Sequence, residues 1–168
     1  MGIDIQSALA GIRNYRPVEW SQIPDLGLYM DQVITFITRA YEPLYGEDIH
    51  GYLSPSMINN YVKSKLIPRP TGKKYSREQI ALLTMIVALK QTSSMEEIRR
   101  MLALDEAQTV EALYEGFNRR FSHALQSMCG EAADAGGAPR SALDFAILAC
   151  GYSAGCAAAL KYEARQVQ

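Results

Sequence analysis

The sequence predicts a mainly all-α fold, and three observations carry that prediction. Apolar residues recur at steps of three and four over most of the chain. Ser residues stand at helix starts with Glu or Gln three positions later. The Pro- and Gly-bearing breaks fall between the periodic stretches rather than inside them.

Residues 1–22 read as a loosely ordered arm, tacked onto the body by Pro17 and Trp20. Pro24-Asp25 opens a helix predicted through about Ala40 or Tyr41, with Leu26, Met30, Val33, Ile34 and Ile37 on one face. Glu42 to Tyr52 holds a Pro and two Gly and reads as a loop. Ser54-Pro55 then starts a short helix: the hydroxyl accepts from a free amide, and Pro at the first helical position loses nothing. Ile58, Tyr61 and Val62 form its inward face, and Pro68 and Pro70 require it to end before Leu66-Ile67-Pro68.

Thr71-Gly72-Lys73-Lys74 is a turn, with Gly72 supplying positive φ. Ser76 and Gln79 form a capping box for the next helix, whose stretch from Ile80 to Leu89 is apolar nearly all round and so belongs in the middle of the core. A second box, Ser94 and Glu97, opens a helix carrying Met95, Ile98, Met101 and Leu102. From Glu106 to about Met128 a stripe runs through Val110, Leu113, Phe117, Phe121, Leu125 and Met128. Glu131 to Pro139 is a flexible break, and Ser141 to about Arg165 is the last helix.

The chain has 168 residues, enough for one domain with a real core or a small domain plus an oligomerisation helix. With 48% hydrophobic and 21% charged residues it has ordinary globular composition, which excludes wholesale disorder. A net charge of -1 excludes a bulk polycation, so any affinity for nucleic acid must come from a local patch. Cys129, Cys150 and Cys156 are odd in number and lack metal spacing, which suits small buried reduced thiols in a cytoplasmic protein. Phe145 to Leu160 is uncharged, but sixteen helical residues rise only about 24 Å against a hydrocarbon core of about 30 Å. A buried helix is expected there, and no membrane partner.

Chemistry concentrates elsewhere. Lys63, Lys65, Arg69, Lys73 and Lys74 follow one another without an acidic residue between Lys63 and Lys74, and Arg77 comes next. Such a run beside a short capped helix suits phosphate contact; its plainer reading is a solvated loop that keeps the protein soluble. The short helix presents Ser56, Asn59, Asn60 and Lys63 outward, and Asn can bond bidentately to the N6/N7 edge of adenine. Only two histidines exist, His50 and His123, and no HExxH, GxSxG, P-loop or GxGxxG is present. No enzyme, metal site or cofactor is expected.

Ser54-Pro55 through Tyr61, Leu66-Ile67-Pro68, Lys73, Tyr75-Ser76, Ser94 to Ile98 and Met101-Leu102 together resemble the winged helix-turn-helix of MerR-type regulators. The pattern is closer still to a bacterial family of unknown function, domain-of-unknown-function family 1836. That similarity rests on IPDLGLYMDQV at Ile23–Val33, MINNY at Met57–Tyr61 and KKYS at Lys73–Ser76. The resemblance implies an arm at 1–22, a winged DNA-binding domain at 23–104 and a helical region at 105–168 for dimerisation or an effector. It makes Ser54–Ser64 the recognition helix and Pro68–Tyr75 a short basic β-wing. The DNA-contacting set is then Ser54, Ser56, Asn59, Asn60, Tyr61, Lys63, Lys65, Arg69, Lys73, Lys74, Tyr75 and Arg77.

Double-stranded DNA is the expected partner, read by a homodimer that regulates transcription. The 106–128 stripe and the last helix, with Gly151, Gly155 and Ala159, are the candidates for dimerisation; the alternative is that both pack back on their own chain. Two other functions compete. One is a helical protein-interaction module whose basic wing meets an acidic partner. The other is a small-molecule sensor in which Tyr114, Phe117, Phe121, Phe145 and Tyr152 line a pocket instead of ordinary core.

Overall fold

The computed structural model describes residues 10–104, 107–134, 143, 149–152, 155, 156, 159 and 160, and these are mostly helical with one two-stranded sheet. In chain order the elements are α1 (Ala10–Asn14), β1 (Leu28–Tyr29), α2 (Met30–Tyr45), α3 (Pro55–Lys63), β2 (Lys74–Tyr75), α4 (Arg77–Leu89), α5 (Met95–Met101) and α6 (Val110–Asp134). Short 3-10 stretches cover Trp20–Gln22 and Gly46–Gly51, and residues 149–152, 155, 156, 159 and 160 are helical.

The core is centred on α4. Ile80, Ala81, Leu83, Met85, Ile86 and Val87 are fully buried, as expected of a helix apolar on all sides. Val33, Ile37 and Tyr41 of α2, Ile58 and Tyr61 of α3, Ile98 of α5, and Leu113 and Tyr114 of α6 join the same core. The Tyr41 hydroxyl donates to the Thr84 carbonyl at 3.0 Å, while Thr84 Oγ1 turns back to the Ile80 carbonyl at 2.8 Å. Neither polar group is therefore buried without a partner.

Helix starts lie where the caps predict. Ser54 Oγ accepts from the Met57 amide at 3.3 Å. Ser76 and Gln79 form the reciprocal box, and so do Ser94 and Glu97, whose bonds from Ser94 hold the Glu97 carboxyl below its ordinary range. Thr109 caps α6 through the Ala112 amide at 3.1 Å, so that helix begins at Val110 rather than Glu106 and continues to Asp134.

Four expectations need correction. The helix foreseen from Pro24 starts only at Met30, because Gly27 takes φ +73° and Leu28–Tyr29 is extended. Its backbone pairs antiparallel with β2, Leu28 opposite Tyr75 and Tyr29 opposite Lys74, and Leu26 is left 86% exposed. Second, α2 runs on through Pro43 to Tyr45, and a 3-10 stretch replaces the expected loop. Third, residues 10–22 are not loose. Tyr15 is buried, stacked 6.2 Å from Tyr41 and edge-on to Phe121 at 6.1 Å; the Val18 carbonyl accepts from Tyr114 Oη at 2.8 Å and Asn118 Nδ2 at 2.9 Å. Fourth, Cys150 is exposed and Cys156 only half-buried, with its Sγ 3.8 Å from Met101 Sδ. Helical positions six apart lie about 120° apart around the axis, so one thiol faces the body and the other faces away.

The first half of α6 packs back on its own chain, against α1 and α4. Of the aromatics considered for a pocket, Tyr114 is core, Phe121 packs on Tyr15 and Tyr152 is exposed. Phe145, the Cys129 side chain, residues 1–9 and most of the predicted last helix lie outside the described residues. Among the described residues no helix is long and apolar enough to cross a membrane.

Candidate nucleic-acid interface

One helix and one turn carry the predicted site. On α3, Ser56, Asn59, Asn60 and Lys63 are spaced i, i+3, i+4 and i+7, which places them along one face, and all four are exposed. Ser54 is half-buried and its hydroxyl is committed to the helix cap and to a 3.0 Å contact with Ser56 Oγ. Tyr61 is 5% exposed and Tyr75 2%. Both phenols are pushed up in pKa by burial. These two belong to the core and leave the surface set, since a ring so covered cannot reach a ligand.

α3 ends in a Schellman motif. The Leu66 amide reaches the Tyr61 carbonyl at 2.9 Å and the Lys65 amide reaches that of Val62 at 3.1 Å. This closure requires a left-handed residue, usually Gly; here it is Lys65, at φ +57°. Arg99 completes the end: its Nη2 donates to the Ser64 carbonyl at 2.7 Å, and its other terminal nitrogen bonds Glu96.

The basic turn is equally defined. The Lys74 amide donates to the Thr71 carbonyl at 3.1 Å, and Gly72 and Lys73 take φ of +57° and +65°. Two successive positive φ values are what a type I′ hairpin turn demands. The returning strand pairs with β1; the outgoing arm meets it only at the Thr71–Lys74 bridge. Gln79 locks the base of this loop, accepting from the Ser76 amide at 2.7 Å and donating to the Pro68 carbonyl at 2.9 Å.

Lys63, Lys65, Arg69, Lys73 and Lys74 are all exposed. Lys74 Nζ sits 5.3 Å from the ring centre of Tyr29, an exposed aromatic on β1 that sequence reasoning missed because it was placed inside a helix. Arg77 departs from the group. Its Nε donates to the Ile23 carbonyl at 2.8 Å, its Nη2 lies 3.7 Å from Asp25, and its guanidinium covers the Trp20 ring at 5.7 Å. It fastens the 20–25 segment to α4 instead of extending the cationic surface, and no local pattern announces partners more than fifty residues upstream. Among the described residues no three His, Cys, Asp or Glu converge as a metal-ligand set.

The arrangement thus offers two exposed asparagines on a capped helix, and five exposed cations of which two are held in backbone conformations ordinarily left to Gly. No curated protein and no solved structure matches the chain. A family model does, over residues 18–117, more than half of the length, reaching from the Val18 carbonyl to the turn of α6 that bonds it. The chain belongs to the family described as Domain of unknown function (DUF1836).

Proposed function

We propose that the protein is a DNA-binding transcriptional regulator of winged helix-turn-helix type, similar to MerR proteins, with α3 as its recognition helix. Lys65 and Lys73 carry the proposal, being the non-Gly residues with positive φ among the described residues, both exposed and both on the acid-free basic segment. A left-handed non-Gly residue costs about 1 kcal/mol or more, and strain of this kind clusters where a ligand is met. A cation retained at such a position is accounted for when its partner is a phosphate outside the chain.

In this reading Ser56, Asn59, Asn60 and Lys63 face base edges and phosphates in the major groove. Lys65, Arg69, Lys73 and Lys74 neutralise backbone phosphates, and Lys74 is oriented by Tyr29. Ser54, Tyr61, Tyr75 and Arg77 hold the scaffold. Two copies would set their α3 helices about 34 Å apart on a palindromic site. Light scattering that finds only monomer, with and without DNA, removes the palindrome.

The test is fluorescence anisotropy with random duplex DNA at two salt concentrations, using the wild type, Lys65→Gly and Lys73→Gly. Glycine relieves the backbone at both positions, so the fold is preserved while a charge is lost. Each variant is expected to bind more weakly and to reduce the salt slope by about one. Unchanged affinity and slope in both overturn the assignment.

A second reading has its own observation: Leu26 and Tyr29 are exposed beside Lys74, a mixed surface suited to an acidic protein partner. Asn59→Ala/Asn60→Ala separates the two. A DNA reader loses sequence preference, whereas a protein-binding surface centred on Leu26 and Tyr29 is indifferent to the change.

A further inference from the structure

A half-open cavity of about 360 Å³ lies between α4, α5, α6 and the helical residues near position 160. Its walls include Met85, Leu89, Leu113 and Phe117, and two basic side chains, Arg100 of α5 and Arg120 of α6, border it as well. Met85 and Leu113 are buried while Arg100 and Arg120 are exposed, which gives an apolar floor and a cationic mouth. Glu97, one turn before Arg100, is the acid that acts on it electrostatically. Among the described residues neither arginine is in an ion pair; the pairs formed are those of Arg77 and Arg99. Two basic side chains bordering one small, largely apolar space, with no ion pair among the described residues, suit a ligand with an anionic head and an apolar body.

We infer that this cavity binds a small aliphatic carboxylate. A space of about 360 Å³ is more than twice the roughly 150 Å³ of an apolar cavity that holds benzene, so a ten-carbon acid such as decanoate is a fitting probe. The carboxylate meets Arg100 and Arg120, whose planar forks suit bidentate contact, and the chain displaces weakly held water from the apolar walls. Position gives the site a consequence. Arg100 lies at the cavity and its neighbour Arg99 holds the Ser64 carbonyl at the end of α3, so a ligand that draws on α5 acts on the proposed recognition helix. This regulatory half rests on the DNA-binding reading; the ligand site does not.

Thermal melting of the full chain with decanoate, and with decan-1-ol as a control lacking the charge, tests the site. Decanoate is expected to raise the melting temperature more than the alcohol does, and Arg100→Gln/Arg120→Gln, two surface changes, is expected to abolish the difference. No shift with decanoate, or equal shifts unaffected by the variant, overturns it. DNA anisotropy with and without decanoate tests the coupling, expected to change affinity at least about fivefold. Bound decanoate with unchanged DNA affinity overturns the coupling and leaves the DNA reading intact. Absence of DNA binding in either condition sinks the DNA reading and the coupling with it, while the ligand site stands on the melting shift.

Discussion

Arg99 closes α3 from outside, its Nη2 2.7 Å from the carbonyl oxygen of Ser64. Three more carbonyls of that end are taken within the chain: Asn60 by the Ser64 amide, Tyr61 by Leu66 and Val62 by Lys65. A cation at a helix carboxyl end also offsets the negative pole of the helix dipole. Arg99→Ala should cost about 1–2 kcal/mol, the range for a charged hydrogen bond at a helix terminus, and lower the melting temperature by several degrees. Hydrogen exchange at the Lys65 and Leu66 amides should quicken with it. A variant with unchanged melting and exchange would show that the closure does not depend on the arginine.

Lys65→Gly and Lys73→Gly should each stabilise the protein by about 0.5–1 kcal/mol, since Gly removes a left-handed penalty at the price of a more flexible unfolded chain. Urea unfolding reads this directly as a higher midpoint at constant slope. Lys65→Ala is the control: it removes the charge but keeps the penalty, and should gain no stability. Higher stability paired with weaker DNA binding in the glycine variants would mark these two residues as placed for a ligand and not for the fold.

Gln79 joins the α4 cap to the loop base, and the two parts of its role can be separated. Ser76→Ala removes one cap and should cost about 1 kcal/mol. Gln79→Leu keeps the volume but strips partners from the Ser76 amide and the Pro68 carbonyl, for about 2–4 kcal/mol. Equal losses in the two variants would mean that the bond to Pro68 adds nothing.

What was legible in the sequence was decided within four residues. Ser54-Pro55, Ser76 with Gln79, Ser94 with Glu97 and the Gly72 turn each depend on neighbours in the same window, and each lies where its pattern puts it. What was not legible was decided across the chain. Leu28 and Tyr29 fall inside a stretch that reads as helical from its neighbours; the strand is decided by pairing with Lys74 and Tyr75. Arg77 reads as one more cation of a basic run until Ile23, Asp25 and Trp20 meet it. Tyr61 satisfies both a core pattern and a site pattern, and burial resolves the conflict in favour of the core. Lys65 gives no local warning of its left-handed backbone, because the Schellman closure is usually announced by Gly.

The aromatic cluster that joins the N-terminal arm to the core predicts an alkaline limit to stability. Burial pushes the phenols of Tyr15, Tyr41, Tyr45 and Tyr114 above the usual value of about 10. Below pH 10 these groups are protonated in both states and stability does not depend on them. Above it the unfolded chain releases protons that the folded protein retains, so the unfolded state binds fewer and stability falls as pH rises. Each such tyrosine contributes up to about 1.4 kcal/mol per pH unit in that window. Urea midpoints should therefore be flat near neutrality and decline steeply from about pH 10, and the tyrosinate absorbance of the buried cluster should appear together with unfolding. Tyr41→Phe loses the bond to the Thr84 carbonyl, about 1 kcal/mol near neutrality, but also removes one titrating group and should make the decline shallower. A variant as pH-sensitive as the wild type would mean that Tyr41 ionises freely in the folded protein, which its burial against Thr84 forbids.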